Sequence, residues 1–407
     1  MNYELKMKDY LFNIRIFVSL IILNSHLLIL NSQELTLLFA GDAMQHKSQI
    51  DNARRGDRYD YSSYFRHIQD EIKAADLAIV NLEVTLGGKP YTGYPMFSAP
   101  DAYAEALKDA GFNVFLTSNN HCLDRFSAGM ERTIHVLDSL DVIHTGTFKD
   151  TIDRNRHYPK MITKSGIRLA LLNYTYDTNG IDIEPPNFVN YIDEEQMLID
   201  VAKAKELDAD FIIVAIHWGN EYKLVQNKAQ ERMAKLLTDA GVDMVIGGHP
   251  HVVQPTIVTL NPDNSIQNIV VYSLGNFISA MKAPNTYGGQ LFKVVLSKEP
   301  FRNRIKDCTY SLLYVNKFTE GGKTCMEILP IPAEFSIPSG EKTDSWANSQ
   351  EMDLFTRTAR KLFETHNQHI KENSFQLSTY QKNYFPTIIW NTQRKSYLCT
   401  EKFRWWL

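Results

Sequence analysis

Cysteine is scarce in this 407-residue chain: there are four, Cys122, Cys308, Cys325 and Cys399, and no CxxC pair among them. A thiolate zinc site is therefore not expected. Cys308 and Cys325 flank an expected hairpin and are either a disulfide or two solitary buried thiols, the common state of free cysteine. A charge excess is also lacking. The formal net charge of −4 argues against a broad nucleic-acid surface, so no nucleic-acid partner is expected. The apolar run at 16–30 is shorter than the roughly 20 residues that a membrane span needs. Lys6, Lys8 and Arg15 precede it, and Asn24, Ser25 and His26 interrupt it. A basic flank before a short apolar core is the pattern of a signal peptide or signal-anchor over residues 1–33. The alternative is a buried or frayed N-terminal helix. The first reading implies export to the cell envelope, either anchored or released.

What is present is an ordinary globular balance, 44% apolar and 22% charged. From Glu34 onward, short apolar runs alternate with helical patterns. Strands are expected at 35–40, 77–82, 112–118, 167–174, 211–217 and 242–248. Helices are expected at 61–76, 101–111, 129–140, 194–210 and 228–241. In the last of these, Ala229, Met233, Leu236, Leu237 and Ala240 fall on one face. Gly111 and Gly241 each follow an Asp-Ala pair, where a left-handed residue ends a helix. The strands are continuous apolar runs, as in a sheet covered on both faces, and the repeated strand–helix order means α/β. Beyond Ile266 the runs NIVVYSL, LFKVVLS, TYSLLYV and TCMEILPI read as successive strands, expected to form a second sheet packed on the first. One domain over 34–335 is expected, then a helical or irregular extension over 336–407 with a helix-like stretch at 345–370.

Ligands in open α/β sheets bind beyond the carboxyl ends of the strands. Asp42 follows LTLLFAG, Glu83 follows LAIVNL, and Asn120 and His121 follow VFLTSN. His217 ends FIIVAIH, and His249 and His251 follow DMVIGG. One such residue is an ordinary turn polar. Five strand ends carrying only carboxylate, amide and imidazole donors point to a shared metal site. Mixed donors of this kind suit Mn, Fe, Zn or Ni better than Ca or Mg. In the stretch GGHPH, an extended turn would point His249 and His251 the same way. Gly247 and Gly248 would let the backbone bend off the strand.

The motifs GDAM (41–44), VNLE (80–83), SNNHCLD (118–124), HWGNEY (217–222), GGHPHVVQ (247–254) and SLGNF (273–277) resemble, in this order, the CapA/PgsA family of capsule and poly-γ-glutamate biosynthesis. The resemblance covers about residues 35–300. That family is similar to the calcineurin-like metallophosphoesterases, which implies a four-layer α/β/β/α sandwich with a divalent metal centre of one or two ions, Mn, Fe or Zn. It implies metal ligation by Asp42, Glu83 (as the bridge), Asn120, His217, His249 and His251, with His121 beside the leaving group. The phosphoesterase pattern places a His two residues after the first Asp. Here that position is Met44, a poor ligand for a hard metal, and His46 has the wrong spacing, so the metal served by His251 is left one ligand short.

Around this set, Asp124 is placed to orient His121 or to cap the helix that follows. Glu221 reaches the metal centre, binds substrate, or is an exposed loop acid. Trp218 reads as core at the cleft wall. The loop 84–100, rich in Gly, Pro and Tyr, has the length of a lid, and carries Lys89 as a candidate anion contact. Arg125 is a second. Two functions follow: a hydrolase acting on a phosphoester or on an amide of an anionic polymer, and a non-catalytic factor that binds polymer or a membrane synthase/export complex.

Overall fold

Two blocks of parallel strands are joined by one long hairpin. The computed structural model describes residues 14–19, 33–320, 323–334, 349–373 and 375. Ile143–Thr145, Val114–Leu116, Leu77–Leu82 and Gln33–Ala43 pair in parallel as the first block. Ile266–Val271, Met244–Gly248, Phe211–His217 and Ile167–Thr175 pair in parallel as the second. The antiparallel strands Gly288–Glu299 and Arg302–Glu320 connect them. The first runs along Gln33–Ala43, and the second meets the other block where Ile305 pairs with Ile266.

Alternation of side chains along these strands builds the layers. Leu35, Leu37 and Phe39 of the first block share one buried cluster with Phe211, Ile213 and Ala215 of the second. Leu38 and Ala40, on the opposite face, pack with Tyr103 and Leu107 of the helix Asp101–Ala110 and Leu137 of Phe126–Ser139. Leu172 and Val214 pack with Val201 of Glu194–Glu206 and Leu237 of Lys228–Asp239. The order is helix, sheet, sheet, helix: the α/β/β/α sandwich expected. Three apolar interfaces also explain why the strands are apolar on both faces.

The structure departs from several expectations. The strands beyond Ile266 do not make a separate second sheet. Ile266–Val271 completes the second parallel block, and the rest form the connecting hairpin and its extension Lys323–Pro330. The expected helix at 61–76 is two short ones, Ser62–Phe65 and Gln69–Lys73. The break lets Arg66 and His67 reach the buried carboxylate of Glu327, at 2.6 and 3.0 Å. In Lys228–Asp239, Ala229 is exposed and Gln230 is buried. The Gln230 carboxamide accepts from the backbone of Asn227 and donates to Gln254, so hydrogen bonds rather than apolarity place it inside. Cys308 is a buried thiol, and Cys325 pairs opposite Phe318, so the two are not bridged. Cys399 lies outside the described residues.

Gly111 and Gly241 do take positive φ, 121° and 86°, at their helix ends. The helix Ser349–His366 sends Met352, Phe355 and Phe363 into the cluster between the sheets, so this part of the expected extension is continuous with the domain core. Of the expected signal segment, residues 14–19 are helical, with Phe17 66% exposed, which does not fit a buried helix. Residues 1–13 and 20–32 lie outside the described residues. Among the described residues no helix is long and apolar enough to cross a membrane.

Candidate metal centre

The carboxyl ends of both parallel blocks meet at one place. The first block brings Asp42, Glu83, Asn120 and His121; the second brings His217, His249 and His251. All seven are buried. The sequence-predicted ligands are thus assembled from strands distant in the chain.

Glu83 is the centre of the group. Its side chain is wholly buried, yet neither carboxylate oxygen has a hydrogen-bond partner. Its Oε1 lies 3.5 Å from His217 Nε2 and 3.7 Å from His251 Nε2. Burial and then the charge of Asp42 push its pKa well above the usual carboxylate range. Asp42 goes the other way. Burial acts to raise it, but the hydrogen bond from His251, the charges of His217 and His251, and the Asn81 amide together hold it low. Asn81 donates to Asp42 Oδ1 at 2.8 Å, and the His249 backbone N–H to Oδ2 at 3.1 Å.

The three imidazoles differ. Burial drives His217 down to about 3, against the charge of Asp42. Burial, then the charges of His217 and His251, drive His249 to about 2. His251 is also desolvated, yet Glu83 and Asp42 raise it to about 9. Its Nδ1 faces Asn276 Oδ1 at 3.1 Å and Asp42 Oδ2 at 3.3 Å. His217 Nε2 lies 2.8 Å from Asn120 Oδ1. His249 Nδ1 is buried without a partner. Buried carboxylate oxygens and a buried imidazole nitrogen left without hydrogen bonds in one cluster are costly unless something cationic joins them. Two triads have ligand atoms within 4.8 Å of one another: Asp42, Glu83 and His217, and Glu221, His249 and His251. This donor set fits a divalent ion.

The GGHPH turn is not extended. His249 and His251 both adopt the left-handed region, φ 95° and 58°, uncommon for residues with a Cβ and typical of functional sites. Their rings still face one centre, with centroids 5.9 Å apart. The glycines before them serve close approach instead of bending. Both remain in the strand, paired with Ile216 and His217. A Cβ on Gly247 would meet Tyr272 O at 2.0 Å, and one on Gly248 would meet Asp42 Oδ1 at 2.8 Å.

His121 stands at the edge of this group. Its Nδ1 lies 2.8 Å from Asp124 Oδ2, which also accepts the Phe97 backbone N–H at 2.7 Å. Asp124 caps no helix; Phe126–Ser139 begins without a side-chain cap. The carboxylate instead leaves Nε2 of His121 available and pins the loop 84–100. Phe97 of that loop packs edge-on to His121 at 4.6 Å, so this end of the expected lid is a fixed wall. Arg125 also holds the loop, donating to Pro90 O at 3.0 Å, with its stem against Gly87. It is not directed at the ligand cluster. Lys89 is exposed on the loop. Glu221 lies at the rim, 4.0 Å from His251 Nε2. Trp218 is buried against Tyr272, as expected of core.

Four neighbours received no individual role from the sequence. Asn81 holds Asp42. Asn276, inside SLGNF, faces His251. Asn179 contacts Asn120 at 3.1 Å and His121 at 3.3 Å. Tyr176 lies 4.5 Å from the His249 ring and stacks toward His217. Asn81 sits inside the motif VNLE, pairs in register with Asp42, and was the one most open to recognition; Asn179 and Tyr176 lie in a loop with no motif to mark them.

A family model described as bacterial capsule synthesis protein, PGA_cap, matches residues 36–281. The capsule biosynthesis protein CapA of Bacillus anthracis is 31% identical over 264 residues, 61% of this chain and 60% of that protein. The PGA biosynthesis protein CapA of Bacillus subtilis (strain 168) is 27% identical over 260 residues, 60% of this chain and 63% of that protein. The chain thus spans about three fifths of the length of these curated relatives. Among solved structures, an NAD nucleotidase of Haemophilus influenzae aligns with a TM-score of 0.45 at 12% identity, covering 88% of this chain and 66% of that one. A phosphatase of Mycoplasma pneumoniae aligns with a TM-score of 0.41 at 14% identity, covering 69% and 93%.

Proposed function

The chain belongs to the bacterial capsule synthesis protein family, and on that premise we propose that it works at the cell envelope in capsule or poly-γ-glutamate biosynthesis, with a metal-dependent hydrolase-type site. The observation that carries this reading is Glu83: a fully buried carboxylate with no hydrogen bond to either oxygen, between His217 and His251. Asp42, Glu83, Asn120, His217, His249 and His251 would hold one or two ions of Mn, Fe or Zn. A bound ion of this kind supplies a nucleophilic hydroxide near neutral pH and polarises a phosphoryl or acyl oxygen.

The remaining work falls to the chain's own residues. Asp124 holds His121 through Nδ1, so that Nε2 carries the proton given to the leaving group. Phe97 walls the His121 side of the pocket and limits water there. Lys89, on the exposed part of the loop, contacts the anionic polymer or phosphoester. Arg125 braces that loop. The segment 1–33 acts as signal peptide or anchor and puts the domain on the outer side of the membrane.

A second reading, a non-catalytic factor that binds polymer or a membrane synthase/export complex, is favoured by one observation: Met44 stands where a ligand is expected. Turnover of aryl phosphodiester and γ-glutamyl substrates separates the two. Metal-loaded protein is expected to turn over one class, and His121→Ala to lower that turnover by about 10²–10⁴-fold with metal retained. Metal binding with no turnover by the unaltered protein would favour the assembly factor.

A further inference from the structure

Met44 leaves a position in the donor set that something else can fill. Its side chain is buried in the helix-side apolar cluster with Phe97 and Tyr103. His46 does not move in. Its Nδ1 is engaged by Gln49 Oε1 at 3.2 Å and by the Ala280 backbone N–H at 3.4 Å, and it belongs to neither candidate triad. Glu221 comes from the other side. Its Oε1 is 4.0 Å from His251 Nε2, while Glu83 Oε1 is 3.7 Å from the same nitrogen. Among the described residues, His251 is the one ion-pair partner of Glu221.

The position of Glu221 is built, not incidental. Its loop is tied to the GGHPH turn at both ends: Trp218 N–H donates to Gly248 O at 3.1 Å, and Tyr222 N–H to Pro250 O at 2.8 Å. Gln254 Nε2 donates to Lys223 O at 2.7 Å, and Gln254 in turn accepts from Gln230. Gly219 and Tyr222 both take positive φ, 88° and 65°. A Cβ on Gly219 would press the Gln230 carboxamide at 2.7 Å. The buried Gln230, anomalous on an apolar helix face, thus braces the loop that presents Glu221. Donor atoms about 2.0–2.2 Å from one ion lie within about 4.4 Å of each other. The Glu221, His249 and His251 atoms, within 4.8 Å, need only a small side-chain adjustment.

Building on the metal-centre reading above, we infer that Glu221 is a metal ligand beside His251 and takes the place left by Met44. The exchange puts a carboxylate where an imidazole is expected. With Asp42 and Glu83 already present, that ion gains an oxygen-rich, anionic shell, which favours Mn or Fe over Zn. Glu221 then belongs to the metal centre, not to the substrate contacts. Methionine at 44 does not imply an incomplete site.

The test is Mn(II) titration of the full chain, followed by elemental analysis and by electron paramagnetic resonance, for the unaltered protein and Glu221→Gln. Gln keeps the size of this rim side chain, and circular dichroism with the melting temperature of the metal-free forms checks the fold. The expected result is two Mn per chain with a spin-coupled signal in the unaltered protein. In Glu221→Gln one Mn weakens by at least about 10-fold, the scale that even an outer-shell partner sets, and the coupled signal is lost. Two Mn with unchanged affinity in Glu221→Gln overturns the assignment of Glu221 and leaves the metal centre standing. One Mn in both, with equal affinity, does the same. No Mn in the unaltered protein overturns the metal centre and this ligand with it.

Discussion

His251 carries the proton that an ion would displace. Its pKa is raised from 6.5 to about 9 because Glu83 and Asp42 outweigh its burial. A raised pKa stabilises the metal-free fold below the unfolded value near 6.5, and that contribution is lost as pH climbs through about 9. Metal competes for the same nitrogen-bearing ring. Metal affinity is therefore expected to rise with pH up to about 9, with at least one proton released per binding event at pH 7.5. Calorimetry in buffers of different ionisation enthalpy reads that proton; heats that do not depend on the buffer would contradict it. His121 is the second residue-scale prediction. Asp124→Asn keeps the shape but lets Nδ1 of His121 lose its donor role. Turnover, or polymer yield in cells, is expected to fall by about 10–100-fold while metal content stays unchanged. Equal loss of metal would mean that Asp124 only supports the fold.

At the scale of elements, the two parallel blocks matter because each ends in donors. Strand ends were readable from sequence since the apolar runs are continuous and stop abruptly at Asp42, Glu83, Asn120, His217 and Gly247. The conformation of the turns was not. His249 and His251 are left-handed, which only the contacts of Gly248 with Asp42 and of Tyr222 with Pro250 reveal. Gln230 misled for a related reason: side-chain hydrogen bonds, not hydrophobicity, decided its face. Phe97 was hidden within a loop whose Gly and Pro content suggested motion. Gly248→Ala tests the turn directly. Its methyl would press Asp42 Oδ1, so bound metal is expected to fall sharply while circular dichroism is retained. Full metal occupancy in this variant would show that Asp42 can move away without cost.

For the whole molecule, the sandwich is what brings Asp42 and His251 together across 209 residues of chain. The α/β class was legible in the repeated strand–helix pattern, and the four-layer order in the motifs that carry the family resemblance. The route between the layers was not, because a hairpin strand and a parallel strand share the same apolar texture beyond Ile266. Phe292 lies in the cluster between the sheets and is fully buried. Phe292→Ala is expected to cost about 3–5 kcal/mol, seen as a lower denaturation midpoint for metal-free and metal-loaded protein alike. On the proposed reading, a bound metal would join the two blocks. At about 100 times its Kd it should add about 2.7 kcal/mol, so chelation is expected to lower the melting temperature by several degrees. The most direct measurement is metal per chain in the unaltered protein, His217→Ala and His249→Ala, purified identically and analysed for Mn, Fe and Zn. A centre assembled from both blocks predicts one or two ions in the unaltered protein and a clear loss in each variant. Metal content unchanged by both substitutions would contradict it.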